Sequence, residues 1–523
     1  MRRTVGGVDL PGGPATDVAR YRAPLAHLYG EARWQLIWTA ADRPTEQADA
    51  VIANMAAAAT RGLRARDYDA EALRTRAALI ADGSLVRSED LASFDVWLSL
   101  SVMRFISHLH HGRAYPFTVL FAPPGDATQL DDARQTLLVS RAADVDAALA
   151  AVEPPFARYA ALKAALARYR QLAADTSLRP PPLSARPIQP GDRYAVASLR
   201  RLLIRLGDLG ADTPAPASAS ADTLYEDGLV EAVQRFQRRH GLTPDGILGP
   251  ATLAQLRAPL ASRVRQIELT LERWRWLPAQ PARRFAVINI PGFRLYLFDR
   301  DSQEDRPVAK MDVIVGQAYP RRQTPIFVGT MRTLIFWPYW DVPRSIARNE
   351  LIPTIQRHPE AFAREGFEIV RSHGDGAGRY APTDENLARV AAGTLRMRQR
   401  PGPRNALGPI KFIFPNAYNV YLHGTPQQEL FAHPRRDFSH GCIRVSDPTA
   451  LAEFVLDGEN EWDPPAIQAA MRSGHTLEVR LVRPLPIYVL YATAVPGDDE
   501  GEVYFYPDLY GRDAALARTL GEE

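Results

Sequence analysis

Near residue 284 the hydrophobic rhythm of the chain changes, and no other feature narrows its possible folds as much. Upstream, segments such as YDAEALRTRAALIADG and SFDVWLSLSVMRFISHLHHG repeat apolar residues at three- and four-residue spacing and end at glycine. That is the pattern of amphipathic helices closed by a left-handed cap. Downstream, RFAVINIPGFRLYLFDR alternates apolar and polar residues about Pro291-Gly292, which predicts a β-hairpin. MDVIVG, IFVGTMRTLIFWP, IKFIF, NVYLHG and HTLEVRLV continue the strand series. One chain therefore carries a helical part and a strand part, each long enough for its own core.

The helical part divides further. Residues 15–180 read as helices, and SLRPPPLSARPIQPGD at 177–192 is a proline-dense linker. A compact unit follows at 193–257. YAVASLRRLLIRLG sets Val196, Leu199, Leu203 and Leu206 on one helical face, and LVEAVQRFQRRHGL sets Leu229, Val233, Phe236 and His240 on another, with Gly241 as its cap. GPATLAQL opens a third helix with Pro250 in its first turn. ADTPAPASASAD, residues 211–222, reads as a flexible insert between them. In the strand part, the rhythm stops between Pro343 and Gly408. RSIARNELIPTIQRHPEAFAREGFEIV and DENLARVAAGTLRMR look helical there, which predicts a helical insertion at 344–407.

Charge excludes some partners. The net charge is +3 with 63 basic and 60 acidic residues, too small a surplus to argue for nucleic acid or anionic lipid. Nearly all the basic residues are arginine, only Lys163, Lys310 and Lys411 being lysine. The single cysteine rules out an internal disulfide and any multi-cysteine metal site. No run of apolar residues reaches the length of a membrane span. The opening MRRTVGGVDLPGG lacks the hydrophobic core of a signal peptide. Cytosolic residence and an export signal missing from the chain both stay open on these grounds.

That one cysteine lies in HGTPQQELFAHPRRDFSHGCIRV, residues 423–445. NVYLH reads as a strand ending at His423, and Gly424-Thr425-Pro426 turns the chain away. SDPTALAEFVLDG reads as a helix with Ser446 or Asp447 as its N-cap. Cys442 thus falls in a connection, where side chains are presented. A thiol attacks a carbonyl only as thiolate and needs a base. The loop is long enough to fold back and set His423 beside the sulfur, with a carbonyl at the Gly424 turn to orient the imidazole. Gly441 leaves backbone N–H groups open toward an oxyanion, and Arg444 adds positive charge. Two plainer readings stand beside this one. A lone cysteine is commonly a small buried hydrophobe, and His423, His433, His440 and Cys442 could in principle bind zinc, though at spacings that fit no familiar pattern. Arg435 and Arg436 read as solvated loop charges.

HGTP followed by SHGCIR resembles the signature of the L,D-transpeptidase catalytic domain. The likeness extends through RPGPRNALGPIKFIFPN at 400–416 and the TP pair at 324–325. The unit at 193–257 likewise resembles the three-helix peptidoglycan-binding module, on Leu229, Ala232, Val233, Phe236, Gln237, Gly241, Leu242, Asp245, Gly246, Gly249 and Thr252. The resemblance implies a multidomain α+β protein. Its parts would be an α-helical scaffold domain (15–180), the binding module (193–257) and a β-rich, sandwich-like catalytic domain (284–482) with the helical lid inserted. A C-terminal extension (483–523) would complete it. Cys442 would be the acylated nucleophile and His423 the general base, working as a thiolate–imidazolium ion pair. His440, Gly441, Gly424, Ser439 and Arg444 would shape the loop and oxyanion pocket. In FWPYWD, Trp337, Tyr339 and Trp340 are candidates for the substrate groove, with core packing as the plainer role for each.

The implied reaction is 3-3 cross-linking of peptidoglycan tetrapeptide stems in the periplasm of a Gram-negative bacterium. It would use no metal or organic cofactor, and carbapenem β-lactams would acylate Cys442. A monomer is expected, and other cell-wall synthesis enzymes are admitted as partners. A thiol hydrolase acting on stems or a wall-linked lipoprotein, and a non-catalytic wall-binding protein, remain the competing readings.

Overall fold

The computed structural model describes residues 5, 15–114, 131–210, 223–278, 282–299, 306–320, 322–372, 378–459 and 461–521. The insert at 211–222 lies outside them. The chain forms two compact units, one made of residues 1–281 together with 492–523, the other of 282–491. Among the described residues no helix is long and apolar enough to cross a membrane.

In the first unit, helix α1 (Ser88–His111) is buried on most of its surface. Its Asp95 carboxylate is fully enclosed and is held by the Tyr29 hydroxyl at 2.7 Å and the Trp38 N–H at 2.8 Å. A buried carboxylate is tolerable only with such donors. Helix α2 (Ala157–Ala174) packs in one core with the three-helix module, α3 (Val196–Leu206), α4 (Gly228–Arg239) and α5 (Pro250–Leu256), and with α6 (Leu260–Trp274).

The module's motif residues meet at Gln237. Its side-chain amide reaches Asp245 Oδ1 at 2.8 Å, the Ile247 carbonyl at 3.1 Å and Thr252 Oγ1 at 3.1 Å, and its Oε1 accepts the Gly246 N–H at 2.8 Å. One buried glutamine thereby fixes the turn between α4 and α5. The C-terminal segment completes this unit: Phe505 joins the same core and stacks over His240 with ring centres 5.8 Å apart.

The second unit is built on eight strands: β1 (Arg284–Asn289), β2 (Arg294–Asp299), β3 (Ala309–Ile314), β4 (Phe327–Phe336), β5 (Ile410–Ile413), β6 (Leu422–His423), β7 (Ile443–Val445) and β8 (Leu477–Leu490). They close into a barrel in the order β5-β6-β7-β3-β2-β1-β8-β4, with β4 pairing β5. The α+β multidomain class holds, but the strand domain is a barrel and not a sandwich. Closure depends on β8 lying between β4 and β1, whereas strand alternation reports only that one face is buried.

The insertion also differs from its expected helical character. Helices at Ile352–Arg357, Glu360–Arg364 and Asp384–Ala392 pack on a four-stranded antiparallel sheet of Trp340–Asp341, Arg396–Gln399, Phe367–Val370 and Arg379–Tyr380. Both inner strands follow glycines in the left-handed region, Gly366 (φ 75°) and Gly393 (φ 85°), which end the preceding helices. FEIV and RMRQ then begin new extended segments that a helical pattern absorbs when the glycine is read through.

Candidate active site

Leu422 on β6 and Ile443 on β7 pair in parallel register and are both fully buried in the barrel. Strand alternation therefore turns Tyr421, His423, Cys442 and Arg444 to the outer face. On β5, Lys411 lies opposite His423, which in turn lies opposite Arg444. The three form one row across neighbouring strands, and Tyr421 and Cys442 occupy the next. The Ile443 N–H donates to the Tyr421 carbonyl at 3.1 Å and fixes that second row.

His423 Nδ1 lies 2.6 Å from the Gly424 carbonyl. A carbonyl only accepts, so Nδ1 carries the proton and Nε2 is left with its lone pair. Burial, and then the Arg444 charge, push the imidazole down to about 3, with Lys411 adding to the effect and the Gly424 and Leu407 carbonyls opposing it. The ring is a neutral base.

Cys442 is half-buried, with Sγ 3.8 Å from the Asn419 carbonyl. Burial pushes its thiol up, while a bond from the Tyr421 hydroxyl and the Lys411 and Arg444 charges work against that rise. Both shifts run against the expected thiolate–imidazolium pair and favour a thiol beside a neutral imidazole. Desolvation penalises both charged forms, and two cations beside the imidazole discourage a third positive charge.

The loop carrying the thiol is tightly fastened. Ser439 donates its N–H to the Val315 carbonyl at 3.0 Å and accepts the Gln317 N–H at 2.9 Å. Its hydroxyl donates to the Cys442 carbonyl and accepts the Gly441 N–H at 3.1 Å. The Gly441 amide is accordingly engaged inside the loop. Gly441 itself has φ 121°, a value that favours glycine. Thr324 Oγ1 donates to the Gly441 carbonyl at 2.9 Å.

Arg436, expected to be solvated, is buried. It donates to the carbonyls of Val313 (3.2 Å), His433 (2.8 Å) and Phe293 (3.0 Å) and pairs with Asp312 at 2.6 Å. Three carbonyls and a carboxylate converging at strand ends and in the loop explain why a guanidinium with five donors is drawn inward.

His440 faces away from the sulfur row, toward the insertion. Its Nε2 lies 2.7 Å from Glu350 Oε1, which also accepts from Arg322 at 2.9 Å. This acid, for which the sequence offered no signal, ties the insertion to the thiol loop. Of the three groove candidates, Trp340 meets the site by bonding to the Tyr421 hydroxyl. Trp337 instead donates to the Ala470 and Met471 carbonyls, and Tyr339 lies under the Arg398 guanidinium at 4.2 Å. His433 packs edge-on against Phe438. Among the described residues no three His, Cys, Asp or Glu side chains converge as a metal site. Sequence reasoning passed over Tyr421 and Lys411, yet each had a signal: Tyr421 is two positions before His423 on the same strand face, and Lys411 is one of three lysines.

Gly408 supports the base from behind. Its φ is 62°, and a Cβ there would lie 2.6 Å from the Thr425 nitrogen and 2.8 Å from the Gly424 carbonyl carbon. Gly408→Ala is expected to push the Gly424–Thr425 turn out of place. Acylation of Cys442 should slow at least about tenfold, with roughly 1–2 kcal/mol lost in thermal unfolding. An unchanged rate would mean that the turn does not position the imidazole.

Comparison with known proteins agrees with this architecture. Residues 283–466 match the L,D-transpeptidase catalytic domain, residues 23–166 a scaffold domain, and residues 192–256 a domain described as "Putative peptidoglycan binding domain". The barrel and its thiol loop thus belong to a transpeptidase catalytic domain. The scaffold domain and the binding domain precede that catalytic domain in the chain, in that order. A curated relative from Haemophilus influenzae, named "Putative L,D-transpeptidase", is 27% identical over 229 residues. The match covers 44% of this chain and 44% of the relative, so less than half the length of either protein is shared.

Proposed function

We propose that the protein is a cysteine-dependent L,D-transpeptidase that forms 3-3 cross-links between peptidoglycan stems. Cys442 Sγ attacks the diaminopimelate carbonyl of a donor tetrapeptide as His423 Nε2 takes the thiol proton. The same proton passes to the nitrogen of the terminal D-alanine as the C–N bond breaks, leaving a thioester. The side-chain amine of diaminopimelate on a second stem attacks the thioester. Its proton goes to Nε2 and from there to Sγ as the C–S bond breaks. The neutral resting pair means that the proton moves while the C–S bond forms, without a preformed thiolate. The Tyr421 hydroxyl, bonded to the thiol, donates toward charge developing at sulfur. The insertion, tied to the loop by Glu350, excludes water and favours the amine acceptor.

What carries this reading is the tautomer-fixed His423 imidazole on the same outer face as a half-buried Cys442. The matched binding module and catalytic domain support peptidoglycan as substrate and the cell wall as the place of action, which in a Gram-negative bacterium is the periplasm. The test is mass analysis of purified tetrapeptide stems incubated with the protein, with and without an amine acceptor. Loss of D-alanine with a dimeric product is expected, and Cys442→Ala should give neither. Tripeptide alone in both arms would make the protein a hydrolase, and product from Cys442→Ala would remove the thiol from the mechanism. A carbapenem should add its mass to Cys442 in the intact protein.

A further inference from the structure

The cations around the site differ in how they are matched. Arg322 is paired with Glu350, Arg398 with Glu368, Arg435 with Asp437 and Arg436 with Asp312. Lys411 and Arg444, the two that flank His423, make no salt bridge within 4 Å among the described residues. Arg444 donates through one terminal nitrogen to the neutral Gln427 Oε1 at 2.8 Å, and its Nε is buried without an acceptor. The Lys411 ammonium stands 4.1 Å above the Tyr421 ring and feels the Asp341 charge from the insertion. Both groups are half-buried and both act on the Cys442 sulfur. Drawing two positive groups partly out of water beside a neutral imidazole is costly unless an anion enters between them.

We infer that Lys411 and Arg444 form a carboxylate-binding subsite around the thiol, selecting a donor peptide that carries an ionised carboxylate next to its reactive carbonyl. This deepens the acyl-transfer reading and rests on it for the peptide. The subsite's charge can be measured without any peptide. A carboxylate held by the two cations also fixes the carbonyl against Sγ, so Lys411 and Arg444 set specificity as well as affinity. Asp341 limits the charge at the Lys411 end, which leaves room for one carboxylate and disfavours a second.

The experiment compares alkylation of Cys442 by iodoacetate and by iodoacetamide, followed by intact mass at pH 7.5 and low salt. The two reagents share one thiolate, so any change in its fraction cancels in the ratio of rates. Relative to the same cysteine in urea-unfolded chain, the folded protein should favour iodoacetate by roughly tenfold, and 0.5 M salt should erode that preference. Lys411→Met and Arg444→Gln should each lower the ratio several-fold, while Lys411→Arg keeps it. Far-UV circular dichroism and thermal unfolding confirm that each variant is folded. An equal ratio in folded and unfolded protein, or folded variants with an unchanged ratio, overturns the subsite. In a second arm, donor tetrapeptide is offered as the free acid and as its carboxamides. Slower acylation by an amidated form in wild type, with the difference lost in the variants, supports the subsite. Equal acylation by all forms overturns it while leaving acyl transfer intact. A persistent iodoacetate preference without acylation by any peptide overturns the acyl-transfer reading and leaves the anion subsite standing.

Discussion

Exchange of His423 for asparagine is expected to slow acylation of Cys442 by about a thousandfold, within the range usual for a lost general base. Asparagine can still donate its amide N–H to the Gly424 carbonyl and so preserve the turn. It cannot take the thiol proton. The pH profile adds a sharper expectation. The imidazole is pushed down to about 3, so it is protonated only below that value and keeps its free lone pair at every pH above it. The wild-type acylation rate should therefore show no step where an ordinary histidine titrates, and its acid limb should lie near pH 3, or where acid unfolds the chain. The thiol is pushed up, so alkylation by iodoacetamide should keep rising with pH through the region above an ordinary cysteine's value. Because the two groups interact, each apparent value belongs to the pair. A plateau of alkylation between pH 5 and 8 would reveal a resting thiolate–imidazolium pair and overturn the neutral arrangement.

Much of this site could be read from the sequence because its chemistry is local. His423 ends a short strand before a Gly-Thr-Pro turn, and the carbonyl that orients it belongs to the next residue. Cys442 is the only thiol in the chain and lies just ahead of a helix, α7 (Pro448–Leu456), capped by Asp447. The module was legible for a related reason: Gln237, Asp245, Gly246 and Thr252 are close in sequence and meet in one hydrogen-bonded cluster.

What escaped sequence reading depends on partners far away along the chain. Whether eight alternating strands make a sandwich or a barrel is decided by β8 entering between β4 and β1. Glu350 looks like any helix-surface acid until it is seen against His440, 90 residues later. Likewise nothing local to Gly441 indicates that the Ser439 hydroxyl takes its N–H. The aromatic run FWPYWD split three ways because each ring answers to a different neighbour: the helix Pro464–Ser473 for Trp337, Arg398 for Tyr339 and Tyr421 for Trp340.

Adjacent arginines in the thiol loop supply the second large expectation. Arg436→Met removes a guanidinium that satisfies three backbone carbonyls and Asp312 from a buried position. Methionine fills much of the volume but offers no donor, so the carbonyls of Phe293, Val313 and His433 lose their charged partner. A loss of about 3 kcal/mol is expected for stranding a buried, charge-paired network of this kind. Arg436→Lys should recover only a fraction, because one ammonium cannot span acceptors that a planar fork reaches together. Arg435, one residue earlier, is a control of the same charge and sequence context. It is 67% exposed, but it forks onto an Asp437 side chain that is only 9% exposed, so Arg435→Met should cost about 1 kcal/mol, clearly less than Arg436→Met. The comparison is read from thermal unfolding of the full chain, together with the rate of Cys442 alkylation. Arg436→Met should both lower the transition more and loosen the thiol loop, letting iodoacetamide react faster, whereas Arg435→Met should lower it less and leave the alkylation rate unchanged. Equal effects from the two substitutions would mean that charge alone holds the loop, and that the buried fork has no special part in presenting the thiol.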